Sequence, residues 1–169
     1  MATKWLLDPT HSEITFKVKH LMISNVKGEF TTFNAEIEAE DDTFANAKVS
    51  AIIDTDSIFT NNADRDAHLK SADFFNAEAN PKITFEATTF NGDVTGNLTI
   101  NGVTKPVTLD VDFGGINSDP WGNTKAGFSF EGKIKRSDFG LTWNAALETG
   151  GVMVSEEVKI AGELQFVKQ

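Results

Sequence analysis

The chain holds three histidines and no cysteine, and these counts limit the chemistry that its side chains could perform. His11, His20 and His68 are candidates for a zinc site or for general-base catalysis. No two of them have a ligand spacing such as H-x-x-x-H, and a thiolate or a disulfide is excluded. The sequence therefore predicts no metal site and no cofactor.

Nucleophilic catalysis finds little support in the sequence. His11 and Ser12 are adjacent, so in a strand their side chains would point to opposite faces. No G-x-S-x-G motif is present, and Gly114-Gly115 indicates a turn rather than a phosphate-binding loop. We therefore predict that the protein is not an enzyme and has no catalytic residue.

His20 differs from the other two histidines because it follows Ile14, Phe16 and Val18 at intervals of two. That spacing places it on the apolar face of a predicted strand. Two interpretations stay open. His20 is either a core histidine hydrogen-bonded to a neighbour or one of the few polar groups in an apolar ligand pocket.

The stretch NNADRDAHLKSADFF is the one convincing helical segment. We predict a helix near residues 62–75, with Asn61 or Asn62 as its N-cap and two aspartates in the positive first turn. It ends on Phe74 and Phe75, which should face an apolar surface. A single helix inserted into a β protein commonly plugs or covers the sheet.

Most of the remaining chain alternates apolar and polar residues, as a strand with one buried face does. The dipeptide Asn101-Gly102 is a strong signal for a hairpin turn. The pattern predicts an all-β fold with an antiparallel sheet, either a sandwich or a closed barrel. The strand-like runs are ITFKVKH, FNAEIEAE, KVSAIIDT, KITFEATTF, VTGNLTI, VTLDVDF, AGFSFEGKIK and EEVKIAGELQFV.

The length of 169 residues indicates one domain over residues 1–169, and the composition indicates an interior rich in phenylalanine. There are 14 Phe and 3 Trp but no Tyr, which suits a dry interior because Phe has no polar group. The net charge of -10 argues against nucleic acid and against simple adhesion to an anionic membrane. The first apolar run stops at Leu7, and no run approaches the ~20 residues of a membrane span, so we expect a cytoplasmic protein without stable membrane insertion.

Five motifs, taken in order, resemble signatures of the YceI-like family, the polyisoprenoid-binding lipid-binding proteins. They are WLLDPTHSEITFKVKHL, RDAHLKSADFF, NPKITF, GNLTINGVTKPV and RSDFGLTWN. The resemblance runs from Trp5 to about Phe166 and thus covers nearly the whole chain.

The resemblance implies a lipocalin-like antiparallel β-barrel of about eight strands with a helical insertion, enclosing a long apolar tunnel. It implies a ligand with an isoprenoid tail, such as a polyprenyl lipid or a quinone, and leaves a homodimer open. It supplies no catalytic residues. We expect the lipid to contact Phe16, Val18, His20, Phe30, Leu69, Phe74, Phe75, Phe85, Leu98, Ile100, Phe128, Phe130 and Trp143.

Three polar residues of the predicted helix, Arg65, Asp66 and His68, are expected to anchor it to the barrel through hydrogen bonds. Such bonds are expected because burying a charge without a partner would cost roughly several kcal/mol. Two alternatives to a lipid carrier stay open. One is an enzyme acting on such a lipid with His20 or His68 as general base, although no partner for either is visible in the sequence. The other is a stress or interaction protein with a filled core and no ligand.

Overall fold

The computed structural model describes residues 3–20, 23–87, 92–141 and 154–169, except for the side chain of His20. Within these residues eleven strands and one α-helix follow each other along the chain. In order they are β1 (Thr3–Leu7), β2 (Glu13–His20), β3 (Ser24–Phe30), β4 (Phe33–Ala39), β5 (Lys48–Asp54), β6 (Ile58–Phe59), α1 (Ala63–Lys70), β7 (Lys82–Ala87), β8 (Asp93–Ile100), β9 (Val103–Ser118), β10 (Thr124–Lys135) and β11 (Val154–Lys168).

The strands form a closed antiparallel barrel, which confirms the predicted fold class. The ring runs β1-β4-β5-β7-β8-β9-β10-β11 and closes through pairing of β11 with β1, so eight strands complete it. The strands β2, β3 and β6 continue the sheet from the same edge of β11 that β1 uses, because β10 occupies the other edge. Closure of this ring decides between the sandwich and the barrel that the sequence left open, in favour of the barrel.

The two ends of the barrel differ in what connects their strands. The connections β2–β3, β5–β7, β8–β9 and β10–β11 lie at one end, which we call the helical end because the β5–β7 connection carries α1. The connections β4–β5, β7–β8 and β9–β10 lie at the other, which we call the closed end.

An aromatic cluster fills the closed end. Trp5 is fully buried, and its ring lies 5.1 Å from that of Phe44 in the β4–β5 connection. Phe128 packs against Phe44 at 5.1 Å and against Phe166 at 5.9 Å. Rings at these separations pack as they do in a protein core, so the cluster occupies the centre of this end.

The hairpin predicted at Asn101-Gly102 is confirmed. Ile100 pairs with Val103 across a two-residue turn, and both turn residues have positive φ, 55° and 75°. Such a turn matches the twist of the strands on either side of it.

The turn predicted at Gly114-Gly115 is wrong, because both residues lie inside β9. Gly127 pairs with Gly115 and Phe128 pairs with Phe113, which leaves Gly114 as an extra residue in one strand. This is a β-bulge, and the φ of 105° at Gly115 is one that glycine adopts without strain.

The link between β1 and β2 is a short 3-10 turn, Pro9–His11, organised by the Asp8 carboxylate. Its Oδ1 accepts hydrogen bonds from the Thr10 amide and hydroxyl, and its Oδ2 lies 2.9 Å from His11 Nδ1 and 3.0 Å from Lys125 Nζ. The Thr10 hydroxyl, helped by His11 and Lys125, holds the pKa of the Asp8 carboxyl well below its usual range against the opposing effect of burial.

Replacing Asp8 with asparagine is therefore expected to remove a pH-dependent contribution to stability. A depressed folded pKa stabilises the protein above the unfolded value of 3.8, and this contribution is lost as the pH falls through the folded pKa. We expect wild type to exceed Asp8→Asn by roughly 1–3 kcal/mol in free energy of unfolding near neutral pH. Urea titrations across the acid range should show this difference shrinking, and a difference that stays constant would contradict the assignment.

Candidate ligand cavity

A cavity of about 570 Å³ lies inside the barrel, between the aromatic cluster at the closed end and the residues of the helical end. That volume is typical of pockets that hold small molecules, ~300–1,000 Å³. Strands on all sides contribute aliphatic and aromatic side chains to its wall. Examples are Ile14, Val49, Ala51, Ile53, Ile83, Val94, Val107, Leu109, Val111, Ile134, Val158, Ile160 and Leu164.

The expected lipid contacts cluster in this wall, although contact with a lipid stays a prediction. Eleven of the thirteen line the cavity, namely Phe16, Val18, Phe30, Leu69, Phe74, Phe75, Phe85, Leu98, Ile100, Phe128 and Phe130. The other two, the His20 side chain and Trp143, lie outside the part of the chain that the structure describes. The backbone of His20 ends β2 and pairs with Val154 and Ser24.

The inserted helix α1 is shorter than predicted. The N-cap is Asn62, whose side chain accepts a hydrogen bond of 3.0 Å from the Arg65 amide, as expected. The helix ends at Lys70 because Ser71 is extended, with ψ of 173°, and its hydroxyl bonds back to the His68 carbonyl.

The two terminal phenylalanines consequently belong to turns after the helix. They still face the interior, because Phe74 is buried and Phe75 packs edge-on against Phe30 at 6.1 Å. Leu69, in the last turn of α1, lines the cavity beside them. The helix and the turns after it thus form part of the cavity wall.

The side chains of Arg65 and Asp66 meet the buried Thr60, which lies directly after β6. Asp66 Oδ1 accepts from the Thr60 amide at 2.8 Å and from its hydroxyl at 2.5 Å. Arg65 donates from Nε to the same hydroxyl at 2.8 Å and from Nη2 to the Thr60 carbonyl at 2.6 Å. His68 is placed differently, with Nε2 2.9 Å from Asp73 Oδ2 in the turn after the helix. The anchoring role predicted for the three residues stays a prediction.

Replacing Thr60 with valine tests that role, since it removes a hydroxyl that both accepts from Arg65 and donates to Asp66. We expect a loss of ~1–3 kcal/mol and faster hydrogen exchange at the amides of α1, because the partly buried polar atoms of Arg65 and Asp66 each lose a partner. Thr108→Val is the control, because Thr108 is exposed on β9. Equal exchange of the α1 amides in the two variants would count against anchoring through Thr60.

Charge in the described part of the cavity wall is confined to the helical end. Its charged or titratable residues are Lys19, Asp64, Arg65, His68 and Arg136, and every other described lining residue is apolar. The Lys19 backbone and the Arg136 side chain both bond to Ser155: the Lys19 amide donates to the Ser155 hydroxyl at 3.1 Å, and Arg136 Nε donates to the Ser155 carbonyl at 2.9 Å. The cavity is thus apolar toward the closed end and net basic at the other.

Arg136 is a lining residue that sequence reasoning missed. It is only 6% exposed and donates from Nη1 to the Leu141 carbonyl at 2.6 Å and from Nη2 to the Val154 carbonyl at 3.3 Å. Burial lowers the pKa of its guanidinium, and the nearby charge of Glu156 acts in the opposite direction. A signal was present, because Arg136 continues the inward phase of β10 beyond Ile134.

Metal-ligating residues do not gather anywhere in the ranges that the structure describes. No group of three or more His, Asp or Glu there could hold an ion. His11 contacts Asp8 at the β1–β2 link, whereas His68 contacts Asp73 at the helical end. Over the same ranges, no helix is long and apolar enough to span a bilayer.

A closed eight-stranded barrel with an apolar cavity, polar at one end only, defines a lipocalin-like protein. Comparison with known families gives the finer assignment. Residues 5–166 match the YceI-like domain, and the chain belongs to that family.

Relatives and solved structures agree with this assignment. A UPF0312 protein of Staphylococcus epidermidis is 43% identical over 166 residues, covering 97% of both chains. The YceI protein of Campylobacter jejuni is 37% identical, with a TM-score of 0.77 over 89% of this chain and 90% of that one. A polyisoprenoid binding domain from Saccharophagus degradans, implicated in plant cell wall breakdown, shares the fold at 16% identity, with a TM-score of 0.66 over 98% of each chain.

Proposed function

We propose that this protein binds a long-chain isoprenoid lipid, of the polyprenyl or quinone type, and acts as its carrier or sequestering protein. The observation that carries the proposal is the polarity of the cavity, apolar along its length and basic at the helical end. An amphiphile would place its tail toward the closed end and its head beside Arg65 and Arg136. The description of the Saccharophagus degradans domain as polyisoprenoid-binding supports this ligand class.

The driving force would come from the tail. Each buried methylene contributes ~0.8 kcal/mol, so even part of a prenyl chain outweighs the cost of ordering the ligand. The aromatic rings of the wall carry no hydroxyl groups, because they are phenylalanines and the chain has no tyrosine. Donors from the basic end would orient a head group that accepts hydrogen bonds, such as a quinone carbonyl or a phosphate oxygen.

A comparison of ligands with and without the tail tests the proposal. Delipidated protein would be incubated with a prenylated quinone and, separately, with the same quinone ring lacking its tail. We expect stoichiometric binding of the first and none of the second at equal concentration, measured after gel filtration. Equal retention of both would contradict a tail-binding cavity.

A second candidate, an enzyme acting on the same lipid, is favoured by one observation. His68 lines the cavity with Nε2 2.9 Å from Asp73 Oδ2, a carboxylate that would orient the imidazole of a general base. Product analysis after incubation with prenyl quinones and prenyl phosphates separates the two functions. A His68→Ala variant that binds lipid normally, but loses a turnover that wild type shows, would favour the enzyme.

The third interpretation, a filled core without ligand, fits poorly with the 570 Å³ cavity. A cytoplasmic location and a homodimer stay predictions.

A further inference from the structure

Four lysines lie side by side on the outer wall of the barrel. The strand registers place Lys133 of β10 opposite Lys159 of β11, Lys159 opposite Lys17 of β2, and Lys17 opposite Lys27 of β3. We call these four residues the lysine row. All four are exposed, and neighbouring strands lie ~4.8 Å apart, so the row extends roughly 14 Å around the barrel.

The lysine row works against the stability of the sheet. Like charges directly opposite each other on neighbouring strands are destabilising, and the row contains three such pairs. Of these four lysines, only Lys133 has an ion-pair partner among the described residues, namely Glu157 at 4.0 Å, which is itself largely exposed. The arrangement is therefore not a network of internal salt bridges.

The closed end shows the opposite arrangement. There Lys4 of β1 and Lys48 of β5 lie on either side of Glu38 of β4, so each lysine faces a carboxylate. The repulsion within the basic row is thus not offset by facing carboxylates, although the protein has a net charge of -10. An anionic partner would neutralise this repulsion.

The position of the row indicates which anionic partner fits. Lys17 lies three residues before the end of β2 at the helical end, a distance of ~10 Å or about one Debye length. At the same end Ile23, in the β2–β3 connection, is 83% exposed. A basic surface next to an exposed apolar tip is the combination that peripheral proteins use at lipid interfaces.

We propose that the lysine row and Ile23 dock the helical end of the barrel on an anionic lipid surface, where a lipid would enter or leave the cavity. The entry step rests on the proposed function, whereas the docking itself does not. Acidic residues of the closed end lie more than a Debye length from such a surface and are screened. At the helical end Asp56 lies 3.7 Å from Lys70 Nζ and Asp73 lies 2.9 Å from His68 Nε2. A second copy of this acidic chain would also complement the row but would give Ile23 no bilayer to enter.

Vesicle sedimentation tests the docking. Wild type should partition onto vesicles of phosphatidylglycerol and phosphatidylcholine, but not onto pure phosphatidylcholine, and lose the partition at high salt. The variant Lys17→Gln/Lys159→Gln, which removes the centre of the row, should bind at least about tenfold more weakly. Lys4→Gln/Lys48→Gln changes the net charge equally at the closed end and should bind like wild type.

A second variant checks the apolar tip. Ile23→Ser keeps every charge and should weaken the partition onto anionic vesicles several-fold while leaving its salt dependence unchanged. An equal loss in the two lysine variants, or no loss in either, would overturn the docking surface. A change in oligomeric mass for Lys17→Gln/Lys159→Gln, measured by light scattering, with unchanged vesicle partition would also overturn it in favour of self-association.

The lipid carried by the same preparations separates this proposal from the cavity proposal. We expect Lys17→Gln/Lys159→Gln to retain as much extractable lipid as wild type, because the row lies outside the cavity. Protein that carries lipid but never sediments with vesicles would overturn docking and leave the proposed function standing. Protein that sediments with vesicles but neither carries nor accepts a prenyl lipid would overturn the proposed function and leave docking standing.

Discussion

Replacing Ala51 with phenylalanine is expected to abolish lipid retention while the barrel stays folded. Ala51 lines the cavity from β5, between Ala35 of β4 and Phe85 of β7 in the register of the sheet. A ring added there takes the place of part of the lipid tail. If it displaces about four methylenes, each contributing ~0.8 kcal/mol, affinity falls roughly a hundredfold.

The stability of this variant should change little, because the ring enters an existing cavity rather than a packed core. Ser50→Phe is the matched control, since Ser50 is the neighbouring residue on the exposed face of the same strand. The readout is the amount of lipid extracted per mole of protein. It is compared between variants whose melting temperatures match that of wild type. Full retention of lipid by Ala51→Phe would contradict the placement of the tail at this point in the barrel.

Replacing Trp5 with alanine is expected to cause the largest loss of stability of any substitution considered for this protein. Trp5 is fully buried at the closed end, packs on Phe44, and lies beneath Lys168 Nζ at 5.6 Å from its ring centroid. Removing a buried indole leaves a void that the surrounding rings cannot fill. We expect a loss of ~3–5 kcal/mol and a melting temperature lower by on the order of 10 °C.

Leu6→Ala serves as the comparison, because Leu6 is the next residue of β1, points to the other face and is 39% exposed. It should cost well under half as much. Unfolding followed by circular dichroism avoids the fluorescence change that loss of a tryptophan brings. If the two variants proved equally stable, the aromatic cluster would not be what closes this end of the barrel.

Strand phase was the most informative part of the sequence. The alternation in KITFEA and in VTGNLTI placed Phe85, Leu98 and Ile100 on one face, and the structure brings all three to the cavity. A period of two identifies the buried face directly, since a strand directs successive side chains to opposite sides. Many such strands in one chain predict a sheet with one apolar face, and a barrel forms when the first and last strands of that sheet pair.

Features that depend on pairing between distant strands could not be predicted in this way. The bulge at Gly114 exists only relative to its partner strand, in which Gly127 and Phe128 are consecutive. The lysine row likewise requires the register among strands up to about 140 residues apart in sequence.

Two local features were hidden by competing signals. The periodicity of α1 continues through residues 71–75, but the Ser71 hydroxyl bonds to the His68 carbonyl and ends the helix. Arg136 continues the inward-facing positions of β10, but arginine is usually exposed. The carbonyls that accept hydrogen bonds from it lie in later segments of the chain.

The most direct test of the central claim is mass spectrometry of natively purified protein, followed by solvent extraction of whatever it carries. We expect a stoichiometric adduct that extraction identifies as a prenylated amphiphile, or an apo protein that acquires one adduct when a prenyl quinone is added. A protein that shows its bare mass in both experiments would contradict the proposal that the cavity binds an isoprenoid lipid.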